Sequence, residues 1–221
     1  MKTSVAIDGP AGAGKSTIAK MLAETLDYTY LDSGAMYRAV TLKALNENID
    51  VKDKNKLDKL VKDLDIDIEY KNSNFRIFAD QKEVTEAIRT EKVDNNVSAV
   101  AQIKAVRDEL VKKQRQLAQK KDIVMDGRDI GTRVLPNAKY KFYITASVKE
   151  RAKRRYKDVV ERGEKDKTFE EVQNEIIRRD RIDSNRKYSP LKKATDAVVI
   201  DTTELNKKQV LNKLLSIIRG E

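Results

Sequence analysis

The chain has 221 residues, with no cysteine, histidine or tryptophan, and 46 Lys and Arg against 36 Asp and Glu for a net charge of +10. Those absences exclude disulfides, Cys/His zinc sites, thiol nucleophiles and histidine acid–base chemistry, so catalysis falls to carboxylates, Lys, Arg, hydroxyls or a hard metal. The length suits one α/β domain carrying an insertion, and the positive balance suits a polyanionic ligand: nucleotide, nucleic acid or acidic membrane.

Thr3–Asp8 reads as a strand, with no charged leader and long apolar stretch ahead of it. No apolar run reaches membrane length, so a cytoplasmic, soluble protein is expected. Gly9-Pro10-Ala11-Gly12-Ala13-Gly14-Lys15-Ser16-Thr17 follows. A strand, this spacing of glycine, lysine and hydroxyl, and then a helix make a P-loop: the backbone curls so that its N–H groups point at β- and γ-phosphate oxygens, and the helix adds its positive end. Lys15 supplies a point charge and Ser16 a hydroxyl for Mg²⁺. The loop is silent on the acceptor, because switches, motors and helicases share it.

A helix is predicted from about Ser16 to Leu26, then a short strand Tyr28–Asp32. In Leu31-Asp32-Ser33-Gly34-Ala35-Met36-Tyr37-Arg38, Asp32 or Ser33 can cap a helix and Arg38 lies about one turn beyond. Val51–Lys62 reads as a solvated, Lys-rich surface. Leu64–Tyr70 and Asn74–Ala79 then alternate apolar with polar around Asn72-Ser73-Asn74, as in an antiparallel hairpin, and helix-like sequence runs from Glu86 to about Gln119. Residues 64–121 therefore read as a subdomain inserted into a core of 1–63 and 122–221.

The third core strand, Ile123–Asp126, ends in Asp126-Gly127-Arg128-Asp129-Ile130-Gly131-Thr132, a glycine-flanked carboxylate pair where open α/β sheets bind ligands. Tyr140–Thr145 and Ala197–Asp201 complete an alternation of strand and helix that predicts a parallel, doubly covered sheet. Glu150-Arg151-Ala152-Lys153-Arg154-Arg155 places three arginines within about one helical turn, before a charged Lys157–Lys167 segment containing Gly163. It reads as a lid over about 151–168. Thr168-x-x-Glu171 is a capping box, and on the helix it starts Arg179, Asp183 and Arg186 share a face as an anion clamp. Plainer readings compete with each of these motifs: an N-cap, a turn, a solvated basic helix, a surface ion-pair stripe.

Taken together, GPAGAGKST, LDSGAMYR, the long insert, DGRDIGT, ERAKRR, RRDRIDSNR and SPLKKATDAVVIDTT closely resemble the bacterial cytidylate kinases, in order and over essentially the whole chain. The resemblance implies the nucleoside-monophosphate-kinase version of the P-loop NTPase three-layer α/β fold. Its parts are a five-stranded parallel core sheet, an enlarged monophosphate-binding insert and a short arginine-bearing lid. It also implies transfer of the γ-phosphoryl group of ATP to CMP or dCMP, with Mg²⁺. By this resemblance Ser98, Arg107 and Asp129 face the cytosine ring, Arg38, Arg128 and Arg186 hold the acceptor phosphate, Arg179 and Asp183 reach the ribose, and Ser33 and Tyr37 line the pocket. Lys15, Arg128, Arg151 and Arg155 would stabilise charge on the transferred group. Asp32 and Asp126, at strand ends near the loop, can bind Mg²⁺ directly or through water, and both arrangements stay open. The alternatives are an adenylate, uridylate or shikimate-type kinase on the same fold, or a nucleotide switch or nucleic-acid-dependent ATPase. No RNA-binding signature accompanies the 8 tyrosines and 4 phenylalanines, so a monomer that binds neither nucleic acid nor membrane is expected.

Overall fold

The computed structural model describes residues 2–71, 74–161, 163 and 167–221. In chain order the elements are β1 (Ser4–Asp8), α1 (Lys15–Leu26), β2 (Thr29–Asp32), α2 (Ser33–Asn46), α3 (Lys54–Asp63), β3 (Ile66–Lys71), β4 (Asn74–Ala79), β5 (Lys82–Glu83), α4 (Glu91–Val100), α5 (Lys104–Lys120), β6 (Ile123–Gly127), β7 (Tyr140–Thr145), α6 (Val148–Glu161), α7 (Phe169–Asn185), β8 (Val198–Asp201) and α8 (Lys207–Arg219). Short 3₁₀ and π turns cover Ala87–Arg89 and Ile130–Val134.

Strands β2, β6, β1, β7 and β8 form, in that order, a five-stranded sheet whose pairs are all parallel. Every residue of β6, and all of β1 after Ser4, is buried. Successive side chains of a strand point to opposite faces, so helices cover both sides of the sheet's centre. A P-loop α/β core follows, with the C-terminal ends of β1, β2 and β6 opening on one edge. Helix α1 buries Ile18, Ala19, Leu22 and Ala23 along one stripe and stops at Asp27, whose left-handed backbone (φ 55°) returns N–H groups to the last turn.

Between β2 and β6 in the chain lie a three-stranded antiparallel sheet, β3-β4-β5, and helices α3, α4 and α5. The alternation expected for the hairpin is present: β3 is exposed at every second residue, and β4 buries Phe75, Ile77 and Ala79. Of its expected turn, Asn72 and Ser73 lie outside the described residues. Tyr30 of β2 fastens the sheet to the core, its ring edge-on to Tyr70 and Phe75 at 5.7 and 5.5 Å.

One expectation is corrected. The helix-like run from Glu86 is a 3₁₀ turn and two helices, because the chain turns at Ala101–Ile103 and buries Ile103 in an extended conformation. The lysines of Val51–Lys62 are solvated as expected; most of the segment is helix α3, which Asp53 caps by accepting from the N–H groups of Asn55 and Lys56, with Leu57, Leu60 and Val61 buried beneath the lysine-rich outer face.

Candidate active site

The loop between β1 and α1 is shaped by three glycines. Gly12 and Gly14 have φ of 74° and 86°, and Gly14 is the N-cap of α1. Gly9 passes so close to β7 that a Cβ there would fall 1.9 Å from the Ile144 carbonyl oxygen. Ala11 through Thr17 line one large cavity of about 1180 Å³; Gly9 and Pro10 do not. Lys15 curls back to donate to the Pro10 carbonyl at 2.7 Å. Burial, with Arg128 nearby, holds its ammonium down to about 7. Phosphate oxygens at this position would restore its charge.

The same cavity collects nearly every residue singled out from the sequence. Ser33, Tyr37 and Arg38 reach it from α2, Ser98 and Arg107 from α4 and α5, Asp126, Arg128 and Asp129 from the end of β6, Arg155 from α6, and Arg179, Asp183 and Arg186 from α7 and its C-cap. Asp32 caps α2, accepting from Ala35 N–H at 2.9 Å and from Arg38 at 2.7 Å. Burial works against its charged form, but Arg38 and that N–H hold its carboxyl below the usual range. Ser33 Oγ donates to the Asp126 carbonyl at 2.7 Å, locking the start of α2 to the end of β6.

Arg151 is the exception. Its buried guanidinium donates to the carbonyls of Ala146 and Ala11 at 3.0 and 2.9 Å and to Asp180 at 2.5 Å, and it does not line the cavity. Asp180 in turn accepts from Ala11 N–H at 3.1 Å. Arg151 therefore braces the phosphate loop from behind instead of reaching over it. Arg154, next but two, faces in, its Nη2 on the Thr202 carbonyl at 2.7 Å.

At the far end Arg107 donates to Asp129 and, at 3.0 Å, to the Ala101 carbonyl, and its guanidinium lies 5.3 Å from the Tyr37 ring. Burial raises the Tyr37 hydroxyl to about 12, so it stays protonated. Arg186 stands 3.5 Å from Asp129 and 3.8 Å from Asp183, and Arg128 donates to Asp183 at 2.9 Å. Burial pushes Asp183 up, but Arg128 and Arg186 outweigh it and leave it below the usual carboxylate range. Arg179 and Arg186 are both depressed, first by burial and then by a neighbouring guanidinium, Arg128 and Arg107 respectively. Buried nitrogens of Arg38, Arg107, Arg179 and Arg186 keep unused donors. Such a set accommodates an anion with more acceptor oxygens than the chain itself supplies.

The residues also fit Mg²⁺. Asp126 accepts from Ser16 Oγ at 2.9 Å and from the Tyr30 hydroxyl at 2.7 Å, while burial and the facing charge of Asp32 raise its carboxyl to about 6. A hydroxyl beside two mutually repelling carboxylates is a hard-oxygen donor set that a divalent cation would relieve. Mg²⁺ takes one or two carboxylates and completes its shell with substrate phosphates and water.

Some participants had no role assigned from sequence. Asp8, at the end of β1, accepts from Ile130 and Gly131 N–H, both at 2.8 Å, and so shapes the loop that presents Arg128 and Asp129. Thr202, Leu205 and Val210 line the cavity beyond Gly14. Their signal was the position of Asp201-Thr202 at the end of the last parallel strand, where open sheets bind ligands.

Residues 5–220 match the family described as cytidylate kinase. The chain is 52% identical over 217 residues to the cytidylate kinase of Bacillus subtilis (strain 168), covering 98% of this chain and 96% of that one. It is 53% identical over 219 residues to that of Exiguobacterium sibiricum, covering 99% and 98%. Among solved structures, an uncharacterized protein from Eubacterium ventriosum ATCC 27560 shares the fold with a TM-score of 0.55 at 14% identity, over the whole of both chains. No helix among the described residues is long and apolar enough to cross a membrane. With a phosphate loop, an arginine-lined cleft and half of all residues shared with curated members over nearly its full length, the chain belongs to the cytidylate kinase family.

Proposed function

We propose that this cleft transfers the γ-phosphoryl group of ATP to CMP or dCMP, giving ADP and CDP or dCDP. The observation that carries the choice of acceptor is the buried Arg107–Asp129 pair, with Ser98 lining the same cavity, at the end away from the phosphate loop. Cytosine presents an N4 donor beside N3 and O2 acceptors, which a carboxylate and a guanidinium complement; uracil would set O4 against Asp129.

On the donor side the backbone N–H groups of Gly12 to Lys15, with the Lys15 ammonium, would take the β- and γ-phosphates. Thr202, Leu205 and Val210 beside Arg154 offer a partly apolar wall for the adenine ring. Ser16, with Asp126 and Asp32 directly or through water, would hold Mg²⁺, which when bound supplies positive charge between the phosphates. On the acceptor side Arg38, Arg128 and Arg186 would take the phosphate, Arg186 leaving its long contacts to Asp129 and Asp183 to do so. Arg179 and Asp183 would reach the ribose. The acceptor oxygen is already anionic, so no strong base is needed, and Lys15, Arg128 and Arg155 would neutralise charge in the transition state. Residues 64–121 and a lid over about 151–168 would close on the two nucleotides and exclude water. Of that lid, Arg162 and 164–166 lie outside the described residues.

A coupled assay of ADP release with each nucleoside monophosphate tests the reading. CMP and dCMP should exceed UMP by at least about 100-fold in kcat/KM, because a mismatched base leaves buried polar groups unpaired. Asp129→Ala should erase most of that margin. UMP turned over as well as CMP by the unaltered enzyme would sink the proposal.

A further inference from the structure

The lid-side helices and the inserted segment meet through charge. Arg155 on α6 donates to Asp94 on α4 at 2.6 Å, with only 23% and 18% of the two side chains exposed. Lys167, just before α7, pairs with Glu91 on the same first turn of α4 at 3.0 Å. The two pairs are not equivalent. Glu91 and Lys167 stand outside the cleft, Glu91 with about half of its side chain exposed and Lys167 shared with Glu175. Asp94 and Arg155 both line it, and the charge of Asp94 also acts on Arg38 and Arg179.

A carboxylate from the insert thus stands among three guanidiniums assigned above to the nucleotides. Its two oxygens offer arginine the same forked acceptor geometry as a phosphate, with fewer oxygens and less charge. The Nε donors of Arg38 and Arg179, buried and without a partner, remain open to a phosphate.

Resting on the phosphoryl-transfer reading, we propose that Asp94 is a positioning residue that stands in for a phosphoryl group until nucleotide binds. It holds Arg155 against the insert and gives it up when nucleotide phosphates displace the carboxylate. Phosphate binding then works against the Asp94–Arg155 pair, and Arg155 is withheld from a half-filled site.

The test is calorimetric titration of the full-length protein with inorganic pyrophosphate at low salt. Asp94→Asn should bind it about five-fold tighter than the unaltered protein, a partly buried ion pair being worth about 1 kcal/mol. Asp94→Glu should stay within about two-fold of the original, and the gain should vanish when Asp94→Asn is combined with Arg155→Ala. Unchanged or weaker binding by Asp94→Asn, or a gain that survives the loss of Arg155, overturns the proposal. Asp94→Ser carries the same expectation should the Asn variant fail to fold. Pyrophosphate has no base, so these outcomes are independent of the acceptor panel: a failure of CMP preference would defeat the cytidylate reading and leave this result standing.

Discussion

Asp8 holds two backbone N–H groups of the β6 loop on its oxygens, and still burial raises its carboxyl from an ordinary 3.8 to about 6. Between those two values the native protein keeps a proton that the unfolded chain has released. Stability therefore falls as pH rises through that window and levels off above about 6. Two units at roughly 1.4 kcal/mol each make the contribution roughly 3 kcal/mol. Asp8→Asn removes the titration while keeping an acceptor for Ile130, although Gly131 N–H then faces an amide nitrogen. The urea-unfolding free energy of the unaltered protein minus that of Asp8→Asn should thus shrink by roughly 2 kcal/mol from pH 4 to pH 6.5, the greater part of that contribution. A difference that stays flat would show that Asp8 does not titrate there. No local signal in the sequence announced this residue: its partners lie more than 120 positions away, and one of 36 acidic side chains in a charged chain looks like any other. Asp94 was hidden for the same reason. Asp129 and Arg107 were legible only through the motifs around them, since spacing alone says nothing of a contact that spans 22 residues.

Helices α6 and α7 shape the phosphate loop from behind. The Arg151–Asp180 pair grips both the N–H and the carbonyl of Ala11, so the loop's curvature depends on two helices packed against each other far along the chain. Replacing Arg151 with Lys keeps the charge but loses the forked donors. The KM for ATP should rise by about 10- to 100-fold, the equivalent of one or two charge-assisted hydrogen bonds, with the KM for CMP nearly unchanged. If Arg151 instead touched the transferred phosphoryl group, kcat would fall at constant KM, and steady-state kinetics separates the two. Among the elements, β1, β6, β7 and β8 were readable from short apolar runs, and the start of α7 from its capping box, which the structure forms in full. The break between α4 and α5 was not. Ala101, Gln102 and Ile103 all suit a helix, and the turn exists because Val100 and Ile103 are buried on separate elements. The π turn at Ile130–Val134 was hidden likewise, because the acceptor that orders it, Asp8, sits on another strand.

Of the charge carried by the whole molecule, +10 net, the cations buried in the cleft are the least comfortable. Lys15, Arg179 and Arg186 are all depressed by burial with other cations close by, and four arginines of the cleft keep spare donors. The cleft is therefore electrostatically strained in a way that bound anions would relieve, and binding energy should appear directly as stability. CMP with ADP at about 100 times their dissociation constants should add about 2.7 kcal/mol per ligand, a rise in Tm of very roughly 5–10 °C for each in a chain of this size. Sulfate, which has a phosphate's shape and charge, should raise the Tm of the empty protein more than chloride at equal ionic strength. Most of that excess should disappear once both nucleotides are bound and the arginines neutralised. A general effect of screening predicts otherwise, since diffuse surface charge answers to ionic strength and not to the identity of the anion. Equal gains from chloride and sulfate, unaltered by nucleotide, would place the excess charge on the surface and not in the cleft.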